Sequence, residues 1–194
     1  MTQHIVIIQG HPDATKQHYG HALAQAYADG ARQAGHEIKT ISVAELDFPL
    51  IRRYEEFYEQ APPDVIRQCQ DTIRWADHLV LVYPLWMGSI PAFTKGFLEQ
   101  VFRVGFAMKV ENGGKKWTRL LKGKSARIVV TMGMPAFVYR WYFGAHSLKS
   151  LERNILKFCG IKPVRESLVG MVEGNPKHRA RWLQKMTQYG KSGS

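Results

Sequence analysis

Cysteine is scarce in this chain, two in 194 residues, and no Cys-x-x-Cys pair exists. That argues against a disulfide framework and a thiolate zinc site. Cys69 and Cys159, each set in an apolar helical pattern, read as reduced core thiols of a cytoplasmic protein. Long apolar runs are also missing. Stretches such as residues 79–82 and 128–130 fall far short of the roughly 20 residues a spanning helix needs, so no membrane insertion is expected. The N-terminus enters a strand almost at once, with no basic start or cleavage site, which speaks against a secretory leader. Acidic residues are outnumbered, 16 to 27, leaving a net charge of +11. Much of the excess lies between Lys109 and Arg127 and again from Lys177 to Lys191. Such a field suits nucleic acid, acidic lipid, anionic small molecules or plain solvated surface, and composition leaves these open.

Several motifs are absent as well. No Gly-x-Gly-x-x-Gly follows the first strand, which disfavours a Rossmann dinucleotide site, and there is no His-Glu-x-x-His or Gly-x-Ser-x-Gly. Gly123-Lys124-Ser125 ends like a P-loop, but Thr118 stands where its first glycine belongs and the segment precedes a strand. His18 and His21 share a helix face at i, i+3 without further ligands, so no metal is expected.

What is present is alternation. Apolar runs predict strands at 5–9, 37–43, 78–83, 126–131 and 167–172, the second with the mixed composition of an edge. Apolar periodicity predicts helices at 15–34, 64–75, 91–101, 147–159 and 176–189. Residues 47–63 look irregular, and the basic segment 102–123 reads as loop with some local structure. Strict alternation of this kind predicts an α/β fold, a five-stranded parallel sheet with helices on both faces. The flavodoxin-like strand order 2-1-3-4-5 suits it best. The chain reads as one domain over 1–189, with a disordered tail at 190–194.

In such a sheet a ligand sits beyond the carboxyl ends of the strands, where the winding reverses between the first and third. Three loops therefore matter. Residues 10–17 (Gly-His-Pro-Asp-Ala-Thr-Lys-Gln) run into a helix N-terminus, where free amides and the helix dipole favour phosphate. His11, Thr15, Lys16 and His18 add donors there, although Asp13 or Thr15 could equally serve as a helix cap. Residues 84–90 (Pro-Leu-Trp-Met-Gly-Ser-Ile) are apolar where a surface loop should be polar, which suits a planar ring or a subunit contact. Residues 132–144 lead through Tyr139, Trp141, Tyr142 and Phe143, an aromatic density that implies a pocket wall or dimer contact.

These loops also carry a resemblance. Ala76-Asp77-His78-Leu79-Val80-Leu81-Val82-Tyr83-Pro84-Leu85-Trp86, followed by Ile90-Pro91-Ala92, Lys95-Gly96-Phe97, Gly105-Phe106-Ala107 and Phe158-Cys159-Gly160, resembles the NAD(P)H:quinone reductases of flavodoxin-like fold. The likeness extends to their bacterial relatives among drug-activity modulators and potassium-efflux ancillary proteins. It implies a flavin, FAD favoured over FMN, whose phosphate end meets His11, Thr15, Gln17 and His18, with Arg179 on the basic C-terminal helix near an adenosine diphosphate. The ring would lie along Pro84, Leu85, Trp86 and Met87, with Thr131, Met132 and Gly133 bonding its polar edge. Thr131-Met132-Gly133-Met134 stands where the family has Thr-Thr-Gly-Gly. The family's ring-facing Tyr and His map onto Tyr139 and His146, with one extra residue between them. Hydride would pass from NAD(P)H by way of the flavin to a quinone-like acceptor, in a homodimer with the flavin near the interface. The alternative from the same resemblance is a flavin-binding regulatory subunit docked on a membrane transport protein. Nucleic-acid binding is not expected, because the aromatics sit in the pocket loops rather than among the lysines.

Overall fold

The computed structural model describes residues 2–111 and 115–194. The strands are β1 (His4–Gln9), β2 (Glu37–Ser42), β3 (His78–Pro84), β4 (Met108–Glu111), β5 (Lys116–Arg119), β6 (Ser125–Thr131) and β7 (Val164–Val169). Five of them form one parallel sheet in the order β2-β1-β3-β6-β7, the expected winding with β6 and β7 as its fourth and fifth members. The helices are α1 (Tyr19–Gln33), α2 (Tyr54–Tyr58), α3 (Asp64–Trp75), α4 (Ala92–Val101), α5 (His146–Ser150) and α6 (Pro176–Ser192).

Alternation along the central strands divides the core in two. Val6, Ile8, Leu79, Leu81, Ile128 and Val130 face α3, α4 and α5. Ile5, Ile7, Val80, Val82 and Val129 face α1 and α6. Both faces of β1, β3 and β6 are thus covered, which is why their central residues are apolar, with the buried Arg127 of β6 the exception. Each fully buried aliphatic side chain contributes about 1.5–3 kcal/mol. Where α1 crosses α6 the backbones nearly touch. A Cβ on Gly30 would overlap the Thr187 carbonyl, and one on Gly190 would overlap that of Tyr27.

Several expectations need correction. Helix α1 starts at Tyr19, not at residue 15, because Asp13 spends its carboxylate on the turn before it and His18 takes the N-cap position. The last strand is Val164–Val169 rather than 167–172, and Met132 N–H donates to its final carbonyl, Val169 O, at 2.9 Å. The basic segment holds an antiparallel pair, β4 with β5; residues 112–114 between them lie outside the described residues. The irregular stretch contains α2. The helix expected at 147–159 begins as α5 and continues in wider π-type turns over Leu151–Lys157. Phe158, just past these turns, is 39% exposed and packs on Trp117. Over 190–194, expected as a tail, α6 runs to Ser192, Gly193 turns left-handed at φ 61°, and Arg127 Nε donates to Ser194 O at 2.5 Å. No helix among the described residues is long and apolar enough to cross a membrane.

Candidate functional site

The winding reverses between β1 and β3, and the loops that leave those strands are tied together there. Gly10 N–H donates to Val82 O at 2.7 Å, and the buried Thr94 hydroxyl on α4 donates to Gly10 O at 2.6 Å. A Cβ on Gly10 would stand 2.8 Å from Thr94 Cγ2, so glycine is needed for this close approach.

Beyond Gly10 the chain makes a polar turn. Thr15 donates to Asp13 Oδ1 through both its amide (2.8 Å) and its hydroxyl (2.6 Å), and His18 Nε2 lies 2.8 Å from Asp13 Oδ2. The hydroxyl bond from Thr15, then that from His18, hold the Asp13 carboxyl well below the usual carboxylate range. Asp13 N–H donates to His11 Nδ1 at 3.1 Å, and His18 N–H donates to His21 Nδ1 at 3.0 Å. The rings of His11 and His18 stack with centroids 3.7 Å apart. Burial first, then the neighbouring imidazoles, keeps His11 and His21 below the usual histidine range, with Asp13 acting in the opposite sense. Gln17 is exposed and shares with His21 a groove of ≈ 530 Å³ that extends towards β2. Arg179, on α6, lies over the Tyr19 ring at 4.7 Å, and its carbonyl accepts from the Tyr19 hydroxyl at 2.7 Å.

The loop after β3 starts with the half-buried Pro84 and Leu85 and then projects outward. Trp86 is 48% exposed and Met87 fully so, at a positive φ of 49°. Trp86 and Ser89 exchange both backbone hydrogen bonds, at 2.9 and 2.8 Å, which makes a tight loop with Met87 and Gly88 at its tip. Ser147 fastens it from α5, accepting from Ile90 N–H at 3.2 Å. The edge of Trp86 meets the His11 ring at 5.8 Å, so the apolar loop and the polar turn form adjoining walls.

The loop after β6 matches expectation less closely. Thr131 is buried and its carbonyl accepts from Leu85 N–H at 2.8 Å. Met132 is in the core, with its amide bonded to Val169 O and its carbonyl to Val172 N–H, so it has no amide to offer a ring edge. Gly133 is exposed, and a Cβ there would meet nothing within 4 Å. Tyr139 does not face the opening. It is 1% exposed, and its hydroxyl accepts from Leu148 N–H at 3.2 Å. The chain turns inward at this point because Ala145 is left-handed (φ 47°), which reverses its path into α5. His146 is exposed at the first position of α5, next to the Ser147 that holds the β3 loop.

Over residues 3–191 the chain matches the family described as flavodoxin-like fold. The chain belongs to this family. It is 32% identical over 169 residues to an uncharacterized NAD(P)H oxidoreductase of Haemophilus influenzae, a match covering 85% of this chain and 82% of that protein. Among solved structures, an NAD(P)H:quinone oxidoreductase from Methanothermobacter marburgensis is similar with a TM-score of 0.86 at 22% identity, covering 100% of both chains. An FMN-dependent NADH-azoreductase of Bacillus anthracis in complex with FMN gives a TM-score of 0.72 at 17% identity, covering 99% of this chain and 97% of that one. At these identities the two structures establish the fold.

Within this flavodoxin-like chain the expectation passed over three groups that shape the site. Asp13 was weighed, with Thr15, only as an alternative helix cap, and it organises the turn. His21 was weighed only as a metal ligand, although its i, i+3 spacing from His18 already placed both imidazoles on one face. Ser147 carries no signal in sequence, because its contact with Ile90 spans 57 positions.

Proposed function

We propose that this protein is a flavin-dependent NAD(P)H dehydrogenase acting on quinones, with the flavin held where the loops after β1, β3 and β6 converge. The observation that carries this reading is the meeting of His11 with Trp86, which sets an anion-binding turn against an exposed apolar wall. A phosphorylated planar ring needs both features side by side. The open space at Gly133, and at Gly88 on the tip of the β3 loop, fits the same group.

Once bound, the flavin supplies the hydride chemistry between nicotinamide and acceptor. The chain's own residues bind and orient. His11, His18 and the amides of Lys16 and Gln17 take the phosphate end, on the turn that Thr15 and Asp13 hold in shape. Pro84, Leu85, Trp86 and Met87 give the ring an apolar bed, and Ser147 and the Trp86–Ser89 pair keep that bed rigid. Thr131 holds Leu85 in place through its carbonyl, and Gly133 leaves room for the polar edge. Tyr139 acts at one remove, fixing the start of α5 through the Leu148 amide, and His146 is exposed beside the Ser147 that holds the β3 loop.

We assign FAD over FMN, because Arg179 against Tyr19 puts a guanidinium beside the turn where a second phosphate would lie. We also assign a homodimer. Phe137, Trp141 and Tyr142 are 67%, 80% and 82% exposed, and a second copy would cover them and close the flavin site.

The test is steady-state oxidation of NADH and NADPH with a water-soluble quinone, by protein loaded with FAD or with FMN. Turnover that needs both flavin and quinone supports the reading. A fully loaded protein that oxidises neither nicotinamide refutes it.

A further inference from the structure

The turn between β1 and α1 concentrates three imidazoles in one place. His11 and His18 stack at 3.7 Å with 15° between their planes, and His21 lies 5.6 Å from the first and 5.7 Å from the second. Stacked rings direct their in-plane nitrogens past one another rather than towards a common point. Among the described residues no group of three or more His, Cys, Asp or Glu is arranged to hold a metal. A trio with this geometry at a helix N-terminus is suited instead to acquiring positive charge when an anion arrives.

The surroundings sharpen the point. From the turn itself, the Asp13 carboxylate is committed to Thr15 and His18, while Lys16 is exposed. The β3 loop presents the neutral Trp86 to His11. On the β2 side, Arg32 and Glu45 line the groove that His21 borders, one of each sign. From α6, Arg179 is stacked on Tyr19. Burial and mutual repulsion lower His11 and His21 in the free protein, so near neutral pH an arriving phosphate meets largely uncharged rings. A phosphate within hydrogen-bonding distance reverses that balance, since an opposite charge favours the protonated ring.

We propose that His21 joins His11 and His18 in a phosphate clamp that takes up a proton from solvent as the phosphorylated end of the flavin binds. The proposal rests on the flavin reading above and adds to it a residue, a charge mechanism and a dependence on pH. The sign follows from linkage. His11 and His21 have a higher pKa with phosphate bound than without it. Affinity is therefore level below the free-state value and falls as pH rises through the bound-state value. For each proton taken up, the dissociation constant rises by up to roughly tenfold per pH unit in that window.

The experiment measures dissociation constants for FMN, FAD and riboflavin by quenching of flavin fluorescence, between about pH 6.5 and pH 8.5. The lower limit stays above the second ionisation of a phosphate monoester near ~6. Calorimetry at one pH, in buffers of differing ionisation heat, counts the protons directly. The expected result is a several-fold weakening of FMN and FAD per pH unit, little change for riboflavin, and net proton uptake with the phosphorylated flavins alone. The variant His21→Gln keeps a side chain able to accept from the His18 amide, as the helix start requires, but cannot titrate. It should bind with fewer protons and a flatter profile, its helical content checked by circular dichroism. FMN and FAD that bind at a constant affinity without proton uptake would overturn the clamp while leaving the flavin site standing. Full proton uptake retained by His21→Gln would remove His21 from it. A protein that binds none of the three flavins at any pH would overturn the flavin reading itself, and the clamp with it.

Discussion

The seam between α1 and α6 offers a sharp test through Gly190→Ala. In an exposed helix this exchange stabilises by about 1 kcal/mol, because alanine is the better helix former. At Gly190 the added methyl meets Tyr27 O and stands 2.9 Å from Ala31 N, both backbone atoms that no rotamer change can move aside. The helices must part, which loosens the packing of Met186 against Leu23 and Tyr27 in the core between them. Overpacking of this kind costs about 1–3 kcal/mol, and rigid backbone neighbours place the site at the upper end of that range. Set against the propensity gain, the net loss is about 2 kcal/mol, which for a chain of this size lowers Tm by about 4–8 °C. Thermal unfolding followed by far-ultraviolet circular dichroism reads the difference. An unchanged or higher Tm would mean that α6 does not dock on α1 through this glycine, and the placement of Arg179 beside Tyr19 would lose its support.

Three further predictions concern the site and its surroundings. Trp86→Ala removes an aromatic wall and should weaken flavin binding by roughly tenfold, equivalent to about 1.4 kcal/mol, with Tm little changed; titration with FAD and FMN measures it. Tyr139→Phe leaves the buried Leu148 amide without its acceptor and should cost about 1–3 kcal/mol of stability in denaturant unfolding, with kcat close to wild type. A large fall in kcat with stability intact would return the Tyr139 hydroxyl to the reaction. His78, 1% exposed, is pushed down to about 3, chiefly by burial, so its neutral form is the one the fold accepts. Its contribution is therefore complete above the ordinary value near ~6.5 and declines as pH falls towards the folded value, by up to about 1.4 kcal/mol per pH unit. Urea unfolding at successive pH values should show a shallower decline in His78→Gln.

The parts of the fold legible in sequence were those buried on two sides. β1, β3 and the Ile128–Val130 half of β6 are apolar because helices cover both of their faces, and α3 shows its inner face through Ile66, Cys69 and Ile73. β7 was misplaced because it is an edge strand. Arg165 and Glu166 interrupt its pattern, and the more apolar residues beyond Ser167 drew the boundary forward. The end of the chain, rich in glycine and serine, has the composition of a tail. Only the α1–α6 crossing shows that Gly190 is there because nothing larger fits. For the site, the position of the three loops follows from topology and could be read in advance. The direction of individual side chains could not. Tyr139 and Met132 lie in an aromatic and apolar loop that points inward because of the left-handed Ala145 and the pairing with Val169 and Val172.

The central claim is that a flavin binds where the β1, β3 and β6 loops meet, and its most direct test is equilibrium titration of the flavin-stripped protein with FAD and FMN, read by visible absorbance and flavin fluorescence. The account predicts saturable binding of one flavin per chain, weakened by Trp86→Ala. A protein that leaves the spectra of both flavins unchanged at saturating concentration would contradict it.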